Sequence, residues 1–535
     1  MKQNDIKIFN IDQLNCEFQK NLNFIEKKKV LKRIWDKDGS LWQLDDRVAS
    51  QSLGWLNLPE QAELIAEIST TFAQEALNKY EVVCLVGMGG SIFGAKAIID
   101  FVDSDNSKIF AISDSTLPAS INMIEKIIKG KKTVFVIASK SGTTKETLLI
   151  YNHLKKIGDS NGNLFVAITD PDTFLYKEAL RQKFHKTFLG FQDVGGRYSA
   201  LSYFGLLPSA LMGCQTDLIV KASQNMKTGL QQDTLSKHNL AAIIASILGA
   251  CVVNKTDKLT FISSQDLDSF SSWLEQLIAE SIGKQNMGLV PVVKEPLLDI
   301  DSYSGDRVFL YIRYTRGNNE INDRHVQKLV EAKFPVLWID VEELDSIGGQ
   351  LFLWEFVISI LGALLKLNPF DQTDVEKTKI KVSEVINNIG KSLQLPFCDD
   401  LTMLSRMLGE LDAGAYVSLL VFMSSDNEQT KYVKNLRKKI SDKYKLTTTV
   451  GIGPGYLHST GQLLKGGRRP DHSIFFVHNG NSNLYLPEDY ALFNQVTAAQ
   501  VCSEIEIFKS LGVESTCIDV SEGSKFKILD LVSSI

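Results

Sequence analysis

Short apolar runs alternate with amphipathic stretches along this chain, and that alternation predicts its elements. Val82-Val83-Cys84-Leu85-Val86, Ile109-Phe110-Ala111-Ile112, Thr133-Val134-Phe135-Val136-Ile137 and Leu164-Phe165-Val166-Ala167-Ile168 are unbroken apolar runs of strand length. Such runs read as strands buried on both faces, as in a parallel sheet. Between them lie helical spacings such as Leu148, Leu149, Ile150 and Leu154. The pattern returns at Leu259–Ser264, Val308–Ile312 and Val336–Asp340, beside an apolar helix from Ala241 to Val253. It returns again at Ala415–Phe422, Thr447–Val450, Ser473–Val477 and Ser515–Val520. The expected class is α/β, with two doubly wound parallel sheets in three αβα layers. The expected divisions are a helical N-terminal segment 1–50, a first domain 51–220, a second domain 235–405 and a C-terminal α/β segment 410–535.

Within the N-terminal segment Leu31, Ile34 and Leu41 give a thin apolar face, and Trp35, Trp42 and Trp55 are expected to pack it onto the rest of the protein. Polar residues around 215–240, among them Gln224, Asn225, Gln231 and Gln232, read as a connection between domains. The run Leu351–Leu367 is interrupted by Glu355 and carries Lys366, so it reads as a buried helix and not as a membrane span.

Bulk properties narrow the partners. A net charge of −5 over 535 residues implies no general affinity for nucleic acid or anionic membrane. The seven cysteines are scattered and include no C-x-x-C pair, and the histidines lack metal-ligand spacing. The start Met1-Lys2-Gln3-Asn4-Asp5 is polar, without the apolar core of a secretory signal. These features predict a cytoplasmic protein with no metal.

The chemistry gathers where strands end. Ala138-Ser139-Lys140-Ser141-Gly142-Thr143-Thr144-Lys145-Glu146-Thr147 follows one apolar strand and opens a helix. Open α/β sheets bind ligands at that position. Five hydroxyls, a glycine and the free N–H groups of a helix start suit a dianionic phosphate. Gly87-Met88-Gly89-Gly90-Ser91-Ile92-Phe93-Gly94 is a second glycine-rich turn. It fails the dinucleotide fingerprint, because Ile92 stands where a glycine is required, and Asp114 suits a turn as well as a ribose. It favours close backbone approach to a small ligand, with Gly90 and Ser91 at its head. Gly195-Gly196-Arg197-Tyr198-Ser199 sets a guanidinium beside flexible backbone. Gln276 and Glu280 share a helix face ahead of Ser281-Ile282-Gly283-Lys284, and Gln372, Glu376 and Lys379 recur at helical spacing after Asn368-Pro369-Phe370-Asp371. Gly451–Leu463 holds His458 in another glycine-dense strand-end turn.

Together these segments resemble the glucose-6-phosphate isomerase (phosphoglucose isomerase) family, built from two sugar-isomerase domains. Glu280-Ser281-Ile282-Gly283-Lys284 and Leu457-His458-Ser459-Thr460-Gly461-Gln462-Leu463 look most like the isomerase half of fused transaldolase–isomerase chains. The segment 1–50 is too short for the transaldolase half. The resemblance implies an aldose–ketose isomerase without cofactor, acting on a small sugar phosphate and forming a homodimer. By that resemblance Ser139, Ser141, Thr143 and Thr144, with Ser91, Gly90 and Lys140 nearby, hold the phosphate. Glu280 is the base, Arg197 steadies the enediolate, and Gln276 and Gln372 contact the sugar. Lys379 and a histidine assist ring opening. The family's usual histidine precedes the Asn-Pro-Phe-Asp-Gln segment, whereas His458 comes after it, so His325 stands as the second candidate. Gly142, where many members carry a bulkier residue, implies a wider pocket. The alternatives are an isomerase of mannose 6-phosphate or of an amino sugar phosphate, and a non-catalytic sugar-phosphate-binding regulator.

Overall fold

Three sheets, parallel apart from one edge strand, organise the protein. The computed structural model describes residues 6–42, 47–100, 109–157, 162–343, 346–374, 395–398, 401–412, 414–423, 427–478 and 488–521. In chain order the strands are β1 (Ile6–Phe9), β2 (Val82–Gly87), β3 (Ile109–Ser113), β4 (Thr133–Ala138), β5 (Phe165–Thr169), β6 (Lys186–Leu189) and β7 (Lys258–Ser263). They continue as β8 (Val290–Val292), β9 (Arg307–Tyr314), β10 (Val336–Val341), β11 (Tyr416–Phe422), β12 (Thr447–Ile452), β13 (His472–Val477) and β14 (Glu514–Asp519).

The first sheet has the order β3-β2-β4-β5-β6, all parallel. Strands β2, β4 and β5 are buried along their whole length, which explains their unbroken apolar composition. The chain crosses from one side of β2 to the other between β3 and β4, so a crevice opens beyond the carboxyl ends of β2 and β4. Gly87 pairs with Ala138 in register, which sets the glycine turn and the hydroxyl turn side by side.

The second sheet runs β1-β10-β9-β7-β8 and is parallel except for β1. The N-terminal segment therefore supplies an edge strand, Ile6–Phe9, as well as the expected helices. Its polar–apolar alternation is too short to register as a strand in the sequence. Trp35 stacks on Phe356 at 4.6 Å and Trp55 lies 5.5 Å from Tyr198, so the tryptophans pack as anticipated. The third sheet, β12-β11-β13-β14, is wholly parallel.

Two helices decide the packing between the sheets. Ile347–Leu365 is buried from Ile347 through Ala363 and lies against the helices Thr216–Gln232 and Leu240–Val253. It is a core helix, long and apolar enough for a membrane but 94% enclosed by the protein. Thr216–Gln232 falls where the polar composition suggested a connection. Ile219, Val220, Ser223, Met226, Lys227 and Leu230 form one buried face of it, and the glutamines that obscured the pattern lie between. Each sheet with its helices forms one lobe, and the other decisive helix, Asp268–Ile282 after β7, packs on Gly90–Ile99 of the first lobe.

Candidate functional site

The site grows from the crevice of the first sheet. Gly89 has φ +55, a conformation that favours glycine. A Cβ there would stand 2.6 Å from the His458 carbonyl oxygen and 3.3 Å from Gln276 Nε2. A Cβ on Gly90 would stand 2.4 Å from the Gly196 carbonyl carbon and 2.9 Å from Arg197 N. The two glycines thus let segments from all three lobes meet over the start of the helix Gly90–Ile99.

Arg197 and Glu280 lie at the centre, and both are almost fully buried. Arg197 Nη1 approaches Glu280 Oε2 at 3.5 Å. Arg197 Nε donates to Ser281 Oγ at 2.8 Å, and Nη2 donates to the carbonyls of Pro369 and Asp371 at 2.6 and 2.8 Å. Its fork is therefore fixed by the helix of Glu280 and by the Asn-Pro-Phe-Asp turn at once. Lys284 reinforces that turn, with Nζ donating to the carbonyls of Asn368 and Asp371. Burial, with the Arg197 charge adding to it, pushes the Lys284 ammonium down to about 8, while the Asp371 carboxylate opposes the shift.

Gln276 Nε2 donates to the His458 carbonyl at 2.9 Å and faces Glu280 Oε2 at 3.4 Å. Its Oε1 is buried and has no hydrogen-bond partner among the described residues. The His458 turn is docked onto the end of the same helix: Gln462 Nε2 donates to the Gly283 carbonyl at 3.1 Å and to Asp374 Oδ2 at 2.7 Å. His458 Nε2 lies 3.1 Å from Glu146 Oε1, within ion-pair distance but without the alignment of a hydrogen bond. Glu146 is the residue that sequence reasoning passed over. It stands in the quoted hydroxyl segment, but its partner comes from another lobe, and nothing local marks it.

The hydroxyl turn is organised internally. Ser139 Oγ and Thr144 Oγ1 are 3.0 Å apart, Ser141 Oγ accepts from Thr143 N at 3.3 Å, and Ser91 Oγ accepts from Lys140 N at 3.4 Å. The Lys140 side chain turns away from this array. Its Nζ bonds the Asp170 carboxylate and the Phe191 carbonyl, and burial lowers its pKa. Gly142 does not widen the pocket: it has φ +64, and a Cβ there would meet Thr173 Cβ and Oγ1 at 2.5 Å. The space a side chain would use is filled by Thr173.

Gln372 comes directly after the Asn-Pro-Phe-Asp turn and is half-buried. Lys379 and Glu376 lie outside the described residues. His325 is placed elsewhere, with Nε2 3.1 Å from Tyr303 Oη on the helix Glu320–Glu331, and burial lowers its pKa. His458, and not His325, has a backbone that meets Gln276. Asp114, the ambiguous acid after β3, forms an ion pair with Lys96 at 2.5 Å.

Comparison with known proteins finds similarity over much of the chain. A family model described as phosphoglucose isomerase matches residues 58–290, which include the glycine turn, the hydroxyl turn, Arg197, Gln276 and Glu280. A glucose-6-phosphate isomerase of Mesoplasma florum is 26% identical over 427 residues, covering 69% of this chain and 96% of the relative. One of Parabacteroides distasonis is 28% identical over 395 residues, covering 63% and 88%. Among solved structures, a glucose-6-phosphate isomerase from Chlamydia trachomatis superposes with a TM-score of 0.56 at 16% identity, covering 73% of this chain and 89% of that one. A hypothetical protein from Thermus thermophilus reaches 0.60 at 23% identity, covering 72% and 100%. At those identities the structures establish the shared α/β fold.

Proposed function

We propose that this chain, a member of the phosphoglucose isomerase family and a sugar-phosphate isomerase, interconverts glucose 6-phosphate and fructose 6-phosphate. The observation that carries the reading is the buried meeting of Glu280, Arg197 and Gln276 beside the Gly89–Gly90 turn. Aldose–ketose isomerisation moves one proton between neighbouring carbons and passes through an anionic enediolate. It needs a carboxylate base, a cation near the oxygens and an anchor for the phosphate.

In this reading Glu280 takes the proton from C2 of the aldose and returns it to C1 through a cis-enediol. Arg197, held by three fixed acceptors, stabilises the negative charge that develops on the oxygens. The unpartnered Gln276 Oε1 accepts from a sugar hydroxyl, and Gln372 offers a second contact. Ser139, Ser141, Thr143 and Thr144, with Ser91 and the N–H groups of Gly90 and Lys140, cradle the phosphate. His458, with Glu146 behind its ring, moves the proton that opens the sugar ring, and Lys379 assists. A homodimer in the cytoplasm belongs to the same proposal and comes from the family resemblance.

The test is a coupled assay of fructose 6-phosphate conversion with a chelator present. Glu280→Gln should lower kcat by about 10²- to 10⁴-fold, the usual contribution of general acid–base catalysis, while a hexitol 6-phosphate still binds. Near-normal turnover in that variant would refute the assignment of the base.

A further inference from the structure

The helix Glu488–Ser510 presents two buried polar side chains one turn apart, Gln500 and Glu504, and both act on the surroundings of His458. Glu504 Oε1 accepts from Lys465 Nζ at 2.8 Å, and Oε2 accepts from Tyr456 Oη at 3.1 Å. Tyr456 and Lys465 flank His458 in sequence, so one carboxylate ties both ends of the histidine turn to this helix. The ion pair is sealed, with side-chain exposures of 2% and 0%. Gln500 reaches the other side. Its Nε2 donates to Glu146 Oε1 at 2.7 Å, and that same oxygen faces His458 Nε2 at 3.1 Å.

We propose that Gln500 is a positioning residue of the isomerase: it fixes the Glu146 carboxylate, and through it the aim of the His458 ring. The proposal rests on the reading of His458 as the ring-opening group. A carboxylate only accepts hydrogen bonds, so the amide must turn its nitrogen toward Glu146. With that donor in place, Oε1 holds one rotamer and meets the imidazole in one geometry. Without it the carboxylate loses that donor and is held less firmly against the imidazole. Gln500 meets Glu146 of the helix Lys145–Ile157, and Glu146 in turn lies against His458. Glu504, compensated by Lys465, lies one turn further along its own helix.

The chemistry supplies a discriminating variant. In Gln500→Glu the new side chain donates an O–H to Glu146 only while protonated, and once ionised it repels the neighbouring carboxylate. In Gln500→Leu the donor is absent at every pH. Turnover of fructose 6-phosphate by Gln500→Leu should fall about tenfold or more across the pH range, within the scale of a misplaced acid–base group. Its affinity for glucitol 6-phosphate, measured by titration calorimetry, should stay within about twofold, because the phosphate cradle is untouched. Gln500→Glu should approach wild-type turnover near about pH 6 and lose it toward about pH 9, a dependence the wild type lacks. A merely structural role moves neither the shape of that profile nor kcat apart from binding. A Gln500→Glu profile parallel to wild type would overturn the proposal even if Gln500→Leu fails to fold. Absence of turnover in the wild-type chain would instead overturn the isomerase reading beneath it.

Discussion

Lys284 shows how much of the site depends on residues that never need to touch a substrate. Its ammonium bonds the Asp371 carbonyl that also receives the Arg197 fork, together with the Asn368 carbonyl, and its pKa is depressed to about 8 from 10.5. The unfolded chain therefore binds the proton more tightly, and stability rises with pH between about 8 and 10.5 as that difference is relieved. Below that window the lysine carries its full burial penalty, on the order of 3 kcal/mol. Lys284→Met removes the slope: urea midpoints of wild type and variant should converge as pH rises through the window. An unchanged pH dependence in the variant would show that the ammonium is not buried as described. The variant should also lose turnover, because the Asn-Pro-Phe-Asp turn then holds Arg197 with one anchor fewer. At this scale the roles of Arg197, Glu280 and Gln276 come from the family resemblance, since the local pattern around Glu280 is unremarkable alone, while composition alone draws attention to the hydroxyl turn. It could not mark Glu146 or Gln500, because each is defined by a partner on another lobe.

At the scale of elements, legibility tracked burial. β2, β4 and β5 are buried on both faces and their runs are unbroken, so they were readable to within a residue or two. β1, β6 and β8 are short and lie at sheet edges, where composition is less constrained. The helix Ile347–Leu365 was read as buried in spite of Glu355, and the structure encloses that carboxyl completely. Both of its oxygens lack hydrogen-bond partners among the described residues, and burial raises its pKa well above the usual carboxylate value. Such a group binds its proton more tightly in the folded state, so the folded state loses stability as pH rises above the ordinary value of 4.5. Glu355→Met should therefore stabilise the protein by about 1–3 kcal/mol at neutral pH, the usual scale for an unsatisfied buried polar group. The gain should shrink toward acid pH. Thermal melts at both pH values measure it, and a destabilised variant would mean that Glu355 has a partner in solution.

For the whole molecule, the candidate site draws on the third lobe, the β11–β14 sheet with its helices, because His458, Gln462 and Gln500 all come from it. The lobe carries its own acid-sensitive group. His472 opens β13, its Nε2 lies 2.9 Å from Thr516 Oγ1 on β14, and burial pushes its pKa from 6.5 down to about 4. A histidine held neutral in the fold gives stability that is intact above the unfolded value. That stability is lost as pH falls from 6.5 toward 4, since the unfolded chain takes up the proton first. The loss reaches about 3 kcal/mol at the lower end of the window. The β11–β14 sheet should thus be the first of the three to loosen on acidification, and it takes His458 with it. Hydrogen exchange monitored from neutral pH down to about 4.5 should show protection falling in β13 and β14 before β2 and β4. His472→Gln, which cannot be protonated, should delay that loss and carry isomerase activity to lower pH. Uniform loss of protection across all three sheets in the wild type would show that the lobes unfold as one unit and that acid sensitivity has another source.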